Sequence, residues 1–312
     1  MTRTPAYFLS HGGPNVMEET DHPAYAKLQE IGLEITQKVK PKAVVVRTSY
    51  HPLPLSPSPK PEEGKARTQL TQFSENPQVF SAHWQGSQDT VQVNTAESLP
   101  LIYDFYGFPK HYYSLQFPNI GSPELAQRLL DLFAQRGIKA TGVQRGLDHG
   151  VWAGFTCLFN PSTNPLGVPV VQVSLFGSED PDQHYKLGEA IASLREEGVV
   201  VIGSGMAVHN LRDMWKAMQS PMPMPYTVSF DAALKDAVEA KPEQRQRAME
   251  ELVQRPDARK AHPSFDHLLP VHVAAGAAGG DVGKRVWTLP EGSMAWAQFR
   301  FGEVSAQAAV SR

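Results

Sequence analysis

The chain has 312 residues, 41% of them hydrophobic and 20% charged, with a formal net charge of -3. Such a composition can bury a large core, and the absence of any Lys/Arg run excludes a surface built to track nucleic-acid phosphates. The single cysteine, Cys157, excludes an intrachain disulfide and a cysteine-based zinc site.

Taken in order, Ala6-Tyr7-Phe8-Leu9-Ser10 is predicted to be a short buried strand cut by Gly12-Gly13-Pro14, with His11 at its end. That apolar run is too short for a secretory core, and nothing approaches the ~18–20 apolar residues of a membrane span. A soluble, cytoplasmic protein with no membrane partner is expected. Residues 23 to 39 place Ala26, Leu28, Ile31, Ile35 and Val39 near helical spacing, with Asp21 as candidate cap and Pro23 in the first turn. Ala43-Val44-Val45-Val46 then starts a second strand.

Strand, helix, strand predicts an α/β fold with a central, mostly parallel sheet flanked by helices and an active site at strand ends. The length admits one such domain carrying an insertion, or two domains. The pattern breaks from Arg47 to Val79, where Pro52, Pro54, Pro57, Pro59 and Pro61 stand among serines and charges. This 47–79 stretch reads as a looped or disordered insertion. Val79-Phe80-Ser81-Ala82 resumes the strand and delivers His83, followed by Trp84.

Val91 to Asn94 reads as a strand, and Leu101 to Pro109 as an aromatic cluster, partly core and partly a rim for a flat ring. Ser122 and Pro123 open a helix ending near Gly137. Leu147-Asp148-His149-Gly150 lies in a loop. A strand over 168–175, a helix over 183–196 and a strand over 199–205 follow, with His209 just beyond the glycines. Residues 226 to 253 are predicted helical. Pro263 and Ser264 are predicted to start a helix over 265–278 that carries His267, with Asp266 facing elsewhere. Strands near 286–289 and 295–301 close the fold.

Five segments thus bring a histidine to a strand end, loop or helix start: His11, His83, His149, His209 and His267. Neutral imidazole is the commonest side-chain metal ligand, and three ligands with open positions is the catalytic pattern. Three of these rings are therefore expected to hold a metal while two line the pocket. His22, His111, His184, His262 and His272 read as surface or packing histidines. No Gly-x-Ser-x-Gly elbow or full dinucleotide fingerprint is present.

Ser10-His11-Gly12-Gly13-Pro14, Ser81-Ala82-His83-Trp84, Tyr103-Asp104-Phe105-Tyr106-Gly107-Phe108-Pro109, Leu147-Asp148-His149-Gly150-Val151-Trp152, Val208-His209-Asn210-Leu211-Arg212 and His267-Leu268-Leu269-Pro270 occur in this order. Together they resemble the class III extradiol ring-cleavage dioxygenases, in the branch similar to 4,5-DOPA dioxygenase and related to the catalytic subunit of protocatechuate 4,5-dioxygenase. The resemblance covers nearly the whole chain outside 47–79, and implies a single catalytic domain over 1–312. It implies a mononuclear iron, Fe(2+), bound by His11, His83 and His267, with Zn(2+) able to suit the same all-histidine site. His209 is implied as acid/base, and His149 as hydrogen-bond partner of substrate or oxygen. Tyr103, Phe105, Phe108 and Asp148 are implied at the substrate, with Asp148 and Asn210 orienting rings. His51 competes with His83 for the second ligand position. The expected partners are a small aromatic diol and dioxygen, in a monomer or small homo-oligomer. Two other functions fit the same histidines, a zinc-dependent hydrolase and a catalytically silent metal-binding protein.

Overall fold

Alternation along three short strands sets the architecture. In β1 (Ala6–Ser10), β2 (Ala43–Thr48) and β6 (Val199–Gly205), Tyr7, Leu9, Val44, Val46, Val200 and Ile202 enter one core. Ala6, Phe8, Ala43, Val45, Val199 and Val201 enter the other. Side chains at a period of two, apolar on both sides, describe strands covered on both faces. The computed structural model describes residues 3–48 and 84–304.

The remaining strands are β3 (Thr90–Asn94), β4 (Lys139–Val143), β5 (Val170–Ser174), β7 (Val208–His209), β8 (Gly283–Trp287), β9 (Pro290–Glu291), β10 (Met294–Ala295) and β11 (Gln298–Phe301). Among the described residues, eight of the eleven strands form one sheet in the order β4-β3-β5-β2-β6-β1-β11-β8, and β7-β10-β9 form a small second sheet. Pairings from β5 through β2 and β6 to β1 are parallel, as is β3 with β4. The joins of β3 to β5, β1 to β11 and β11 to β8 are antiparallel. This is the single, mostly parallel α/β domain that the sequence predicts.

One face carries helices α1 (Pro23–Leu33) and α3 (His149–Leu158). The other carries α2 (Pro123–Gln135), α4 (Pro181–Ala190), α6 (Pro225–Val238), α7 (Pro242–Leu252) and α9 (Leu269–Ala277). Short turns α5 (Met214–Ala217) and α8 (Ala258–Ala261) link them. Among the described residues no helix is long and apolar enough to cross a membrane.

Several elements differ from expectation. The first helix is capped by His22, whose ring accepts from the Ala24 N–H, and it passes into a π turn over Glu34–Val39. The predicted 226–253 helix is two, because Pro242 starts a second one after a break at residues 239–241. His149 opens a helix instead of lying in a loop; nine of that helix's ten residues are buried, so no amphipathic period marks it in the sequence.

The insertion boundary also moves. Arg47 and Thr48 still belong to β2, opposite Val173 and Ser174 of β5, and the rest of the 47–79 stretch, with His51, lies outside the described residues. Gln85 then pairs in parallel with Leu175, whose N–H donates to the Trp84 carbonyl at 3.2 Å. The chain therefore leaves and rejoins β5 at consecutive residues.

Arg47 sits fully buried on the Val45 side, its guanidinium 5.9 Å from the Phe133 ring. None of its three nitrogens finds a hydrogen-bond acceptor among the described residues, and desolvation pulls its pKa down to about 9. An uncompensated charge in a low-dielectric core is destabilising. Arg47→Met is expected to raise the unfolding free energy by about 2–4 kcal/mol in urea titrations. An unchanged or lower midpoint would contradict this account of the position.

Candidate active site

His11 follows β1 at the carboxyl end of the parallel strands, where open α/β sheets place their ligand groups. Ser10 holds that end in place. Its N–H donates to Gln298 Oε1 at 2.9 Å, and its hydroxyl donates to the Ala297 carbonyl at 2.8 Å. The His11 N–H donates to the Gly205 carbonyl, and the His11 ring, 3% exposed, sets Nδ1 2.6 Å from the Gly12 carbonyl. The hydrogen therefore sits on Nδ1, and the Nε2 lone pair is the one offered to the cleft. Gly12 adopts φ +68°, and a Cβ there would meet the Trp296 ring at 2.2 Å, so that tryptophan lies flush against the backbone beside His11.

His149 begins α3. Asp104 Oδ1 accepts both its backbone N–H at 3.1 Å and its Nδ1 hydrogen at 2.7 Å. The aromatic run is fastened to this helix: Phe105 meets His149 edge-on at 5.4 Å, and the Trp152 indole donates to the Ile102 carbonyl. Phe105 is buried, whereas Tyr103 and Phe108 are half-buried. The Tyr103 hydroxyl donates to the Leu115 carbonyl at 2.6 Å. Asp148 is wholly buried, with Oδ2 taking hydrogen bonds from Arg145 and Gln172. A carboxylate against His149 is that of Asp104, a residue the sequence reading passed over. Its only signal was one acid inside an aromatic run.

His267 lies in a turn, because the helix after it starts only at Leu269 with Pro270 in its first turn. In a turn, adjacent side chains can meet. Asp266 Oδ2 accepts from His267 Nδ1 at 2.8 Å with both residues buried, which corrects the expectation that Asp266 faces elsewhere. His209, on β7, stacks on His267 with ring centroids 3.7 Å apart and planes 13° from parallel. Asn210 serves as a cap, its Oδ1 accepting from the N–H groups of Arg212 and Asp213, and its Nδ2 donates to the Tyr226 hydroxyl and the Lys260 carbonyl, so among the described residues it orients no histidine ring.

Four of the five expected histidines are therefore neighbours. His11 lies 5.6 Å from His267 and 6.5 Å from His149, centroid to centroid. His83 lies outside the described residues, although Trp84, directly after it, is anchored at the same end of the sheet as His11. Among the described residues no three His, Cys, Asp or Glu groups close on one point at metal-bonding distance.

Comparison with known proteins gives the family. Residues 78–297 match the family model for the catalytic LigB subunit of aromatic ring-opening dioxygenase. The chain is 34% identical to a 4,5-DOPA dioxygenase extradiol of Beta vulgaris over 275 residues, 88% of this chain and 86% of that one. The chain belongs to the class III extradiol ring-cleaving dioxygenases. A 4,5-DOPA dioxygenase extradiol of Escherichia coli K12 is 30% identical over the same shares of both chains, 88% and 86%. The crystal structure of an uncharacterized Escherichia coli K12 protein has the same fold, with a TM-score of 0.69 at 24% identity over 96% of this chain and all of that one. As an aromatic ring-opening dioxygenase, the protein acts on an aromatic substrate with dioxygen, and its clustered histidines lie where the sheet opens.

Proposed function

We propose that the enzyme is an Fe(II)-dependent extradiol dioxygenase that opens the ring of a small catechol, with His11, His83 and His267 as metal ligands. The observation that carries the reading is the matched pair His11 and His267. Each gives its Nδ1 hydrogen away, one to a carbonyl and one to a carboxylate, as metal-binding histidines do. Two rings sharing one ion have centroids about 4.5–5.3 Å apart, close to the observed 5.6 Å. His209 does not share that ion with His267, since parallel stacked rings aim their lone pairs side by side and not at a common point. The catechol assignment is supported by the relatives named 4,5-DOPA dioxygenase extradiol.

Iron bound there would supply the redox-active centre at which catechol and dioxygen meet. The chain's own residues do the rest. His209 is the least buried of the four rings, and in this reading it takes a hydroxyl proton from the catechol and returns it as the ring opens. His149, fixed by Asp104, presents Nε2 as a hydrogen-bond partner beside His11. Phe105 and the half-buried Tyr103 and Phe108 form the apolar wall against which a flat ring packs.

Anaerobic loading with Fe(II), followed by oxygen uptake with a catechol panel, tests the proposal. A yellow ring-opened product with Fe(II) and none with Zn(II) is expected, and His11→Ala and His267→Ala are expected to lose both bound iron and turnover. Ester or amide hydrolysis with Zn(II) and no oxygen uptake would overturn it in favour of a zinc hydrolase. Metal binding without any turnover would mark a silent site.

A further inference from the structure

We propose that Glu291 is a specificity-determining residue that selects catechols whose ring substituent carries a positive charge. The proposal rests on the catechol reading above. It starts from strand register: in the small sheet, His209 of β7 is directly opposite Met294 of β10, and Met294 is directly opposite Glu291 of β9. Residues facing one another across antiparallel strands project from the same side. His209, Met294 and Glu291 therefore form one row on the face where His209 meets His267. Two strand spacings separate the ends of that row, about 10 Å, the span of a catechol ring bearing a two- or three-carbon side chain.

The carboxylate is built into this wall. Glu291 Oε2 accepts from the Trp296 indole N–H at 3.1 Å and lies 3.1 Å from His22 Nε2. His22 Nδ1 accepts from the Ala24 N–H, so its hydrogen is on Nε2 and it too donates to Glu291. Trp296 lies against Gly12, next to His11, and its ring is 4.9 Å from that of His22. These two donors fix the direction of the carboxylate. Oε1 takes no hydrogen bond among the described residues, and the side chain is 55% exposed. No Lys or Arg pairs with Glu291 among the described residues. A held, half-exposed anion with an open oxygen, at the far end of a row that begins with His209, is the complement of a substituent ammonium.

The test compares 3,4-dihydroxyphenethylamine, 4-ethylcatechol and 3,4-dihydroxyphenylacetate as cationic, neutral and anionic probes, on Fe(II)-loaded enzyme. Wild type is expected to favour the amine over the neutral probe in kcat/KM, mainly through KM. Glu291→Gln is expected to cut that ratio about tenfold, and Glu291→Lys to turn the preference toward the acid. Calorimetric binding of the amine to metal-free protein gives a second readout, which Glu291→Gln should weaken by a similar factor. Cleavage of all three probes with ratios unmoved by either substitution would overturn the role of Glu291 and leave the catechol reading standing. No cleavage of any probe would sink the catechol reading and this inference together.

Discussion

If His209 carries the catechol proton at an iron centre, as proposed, His209→Gln is expected to bind iron as wild type does and yet lose about 10²–10⁴-fold in kcat, the usual contribution of a proton carrier. The stacking geometry separates this outcome from its rival. A ligand can be removed only at the cost of the metal, whereas a ring lying flat on a ligand can be changed with the metal retained. Glutamine keeps a hydrogen-bonding amide near the same place but cannot cycle a proton. Iron content is read by elemental analysis and turnover by oxygen uptake, on one preparation. Loss of iron would make His209 a ligand, and undiminished kcat would remove it from the chemistry.

The largest expected effect on stability lies on the opposite face of the sheet. His184, His262 and His272 are fully buried and none belongs to the catalytic cluster. His184 uses both ring nitrogens as a neutral imidazole does, Nδ1 donating to the Asp180 carbonyl and Nε2 accepting from the Phe176 N–H. His262 donates to the Ala207 carbonyl and His272 to the Met249 carbonyl. Burial pushes their pKa values down to about 3, about 4 and about 4 respectively, with the charge of Arg47 adding to the effect on His184. The unfolded chain takes protons near pH 6.5, whereas the folded one resists until much lower pH. Stability is thus complete above pH 6.5 and falls as pH drops from there toward 4. At pH 5 each of the three costs about 2 kcal/mol, and the sum approaches the whole stability of an ordinary domain. Urea unfolding at pH 7 and pH 5 should therefore differ by several kcal/mol, with about three protons taken up on unfolding at the lower pH. Equal midpoints at the two pH values would refute it.

The parts of the site that could be read from sequence are those where an apolar run ends in glycine. Ser10-His11-Gly12 and the strand before His209 announce both the sheet and the place where it opens. Other parts left no such trace. Pro263 and Ser264 resemble a helix start, but the helix begins six residues after Pro263, and the turn in between is what joins Asp266 to His267. The partnership of Asp104 with His149 spans 45 positions and depends on how the aromatic run folds over α3, which spacing alone does not encode. β4 is missing from the prediction because, as an edge strand with most of its residues exposed or half-exposed, it lacks alternation. The three buried histidines resemble any others in a one-dimensional string; only the surrounding helices make them costly to protonate.

Thr48 and Gln85 rest against consecutive residues of β5, so the two ends of the intervening stretch are neighbours in space. Closing such a stretch costs entropy that rises only with the logarithm of its length, about 0.6 kcal/mol for each doubling. The central sheet therefore has a port through which sequence can be lengthened, trimmed or exchanged while the register on either side is kept. Trp84, pinned on the return side, fixes where the cargo of that port must arrive. A change of length there would leave in place the frame that carries His11 and His209.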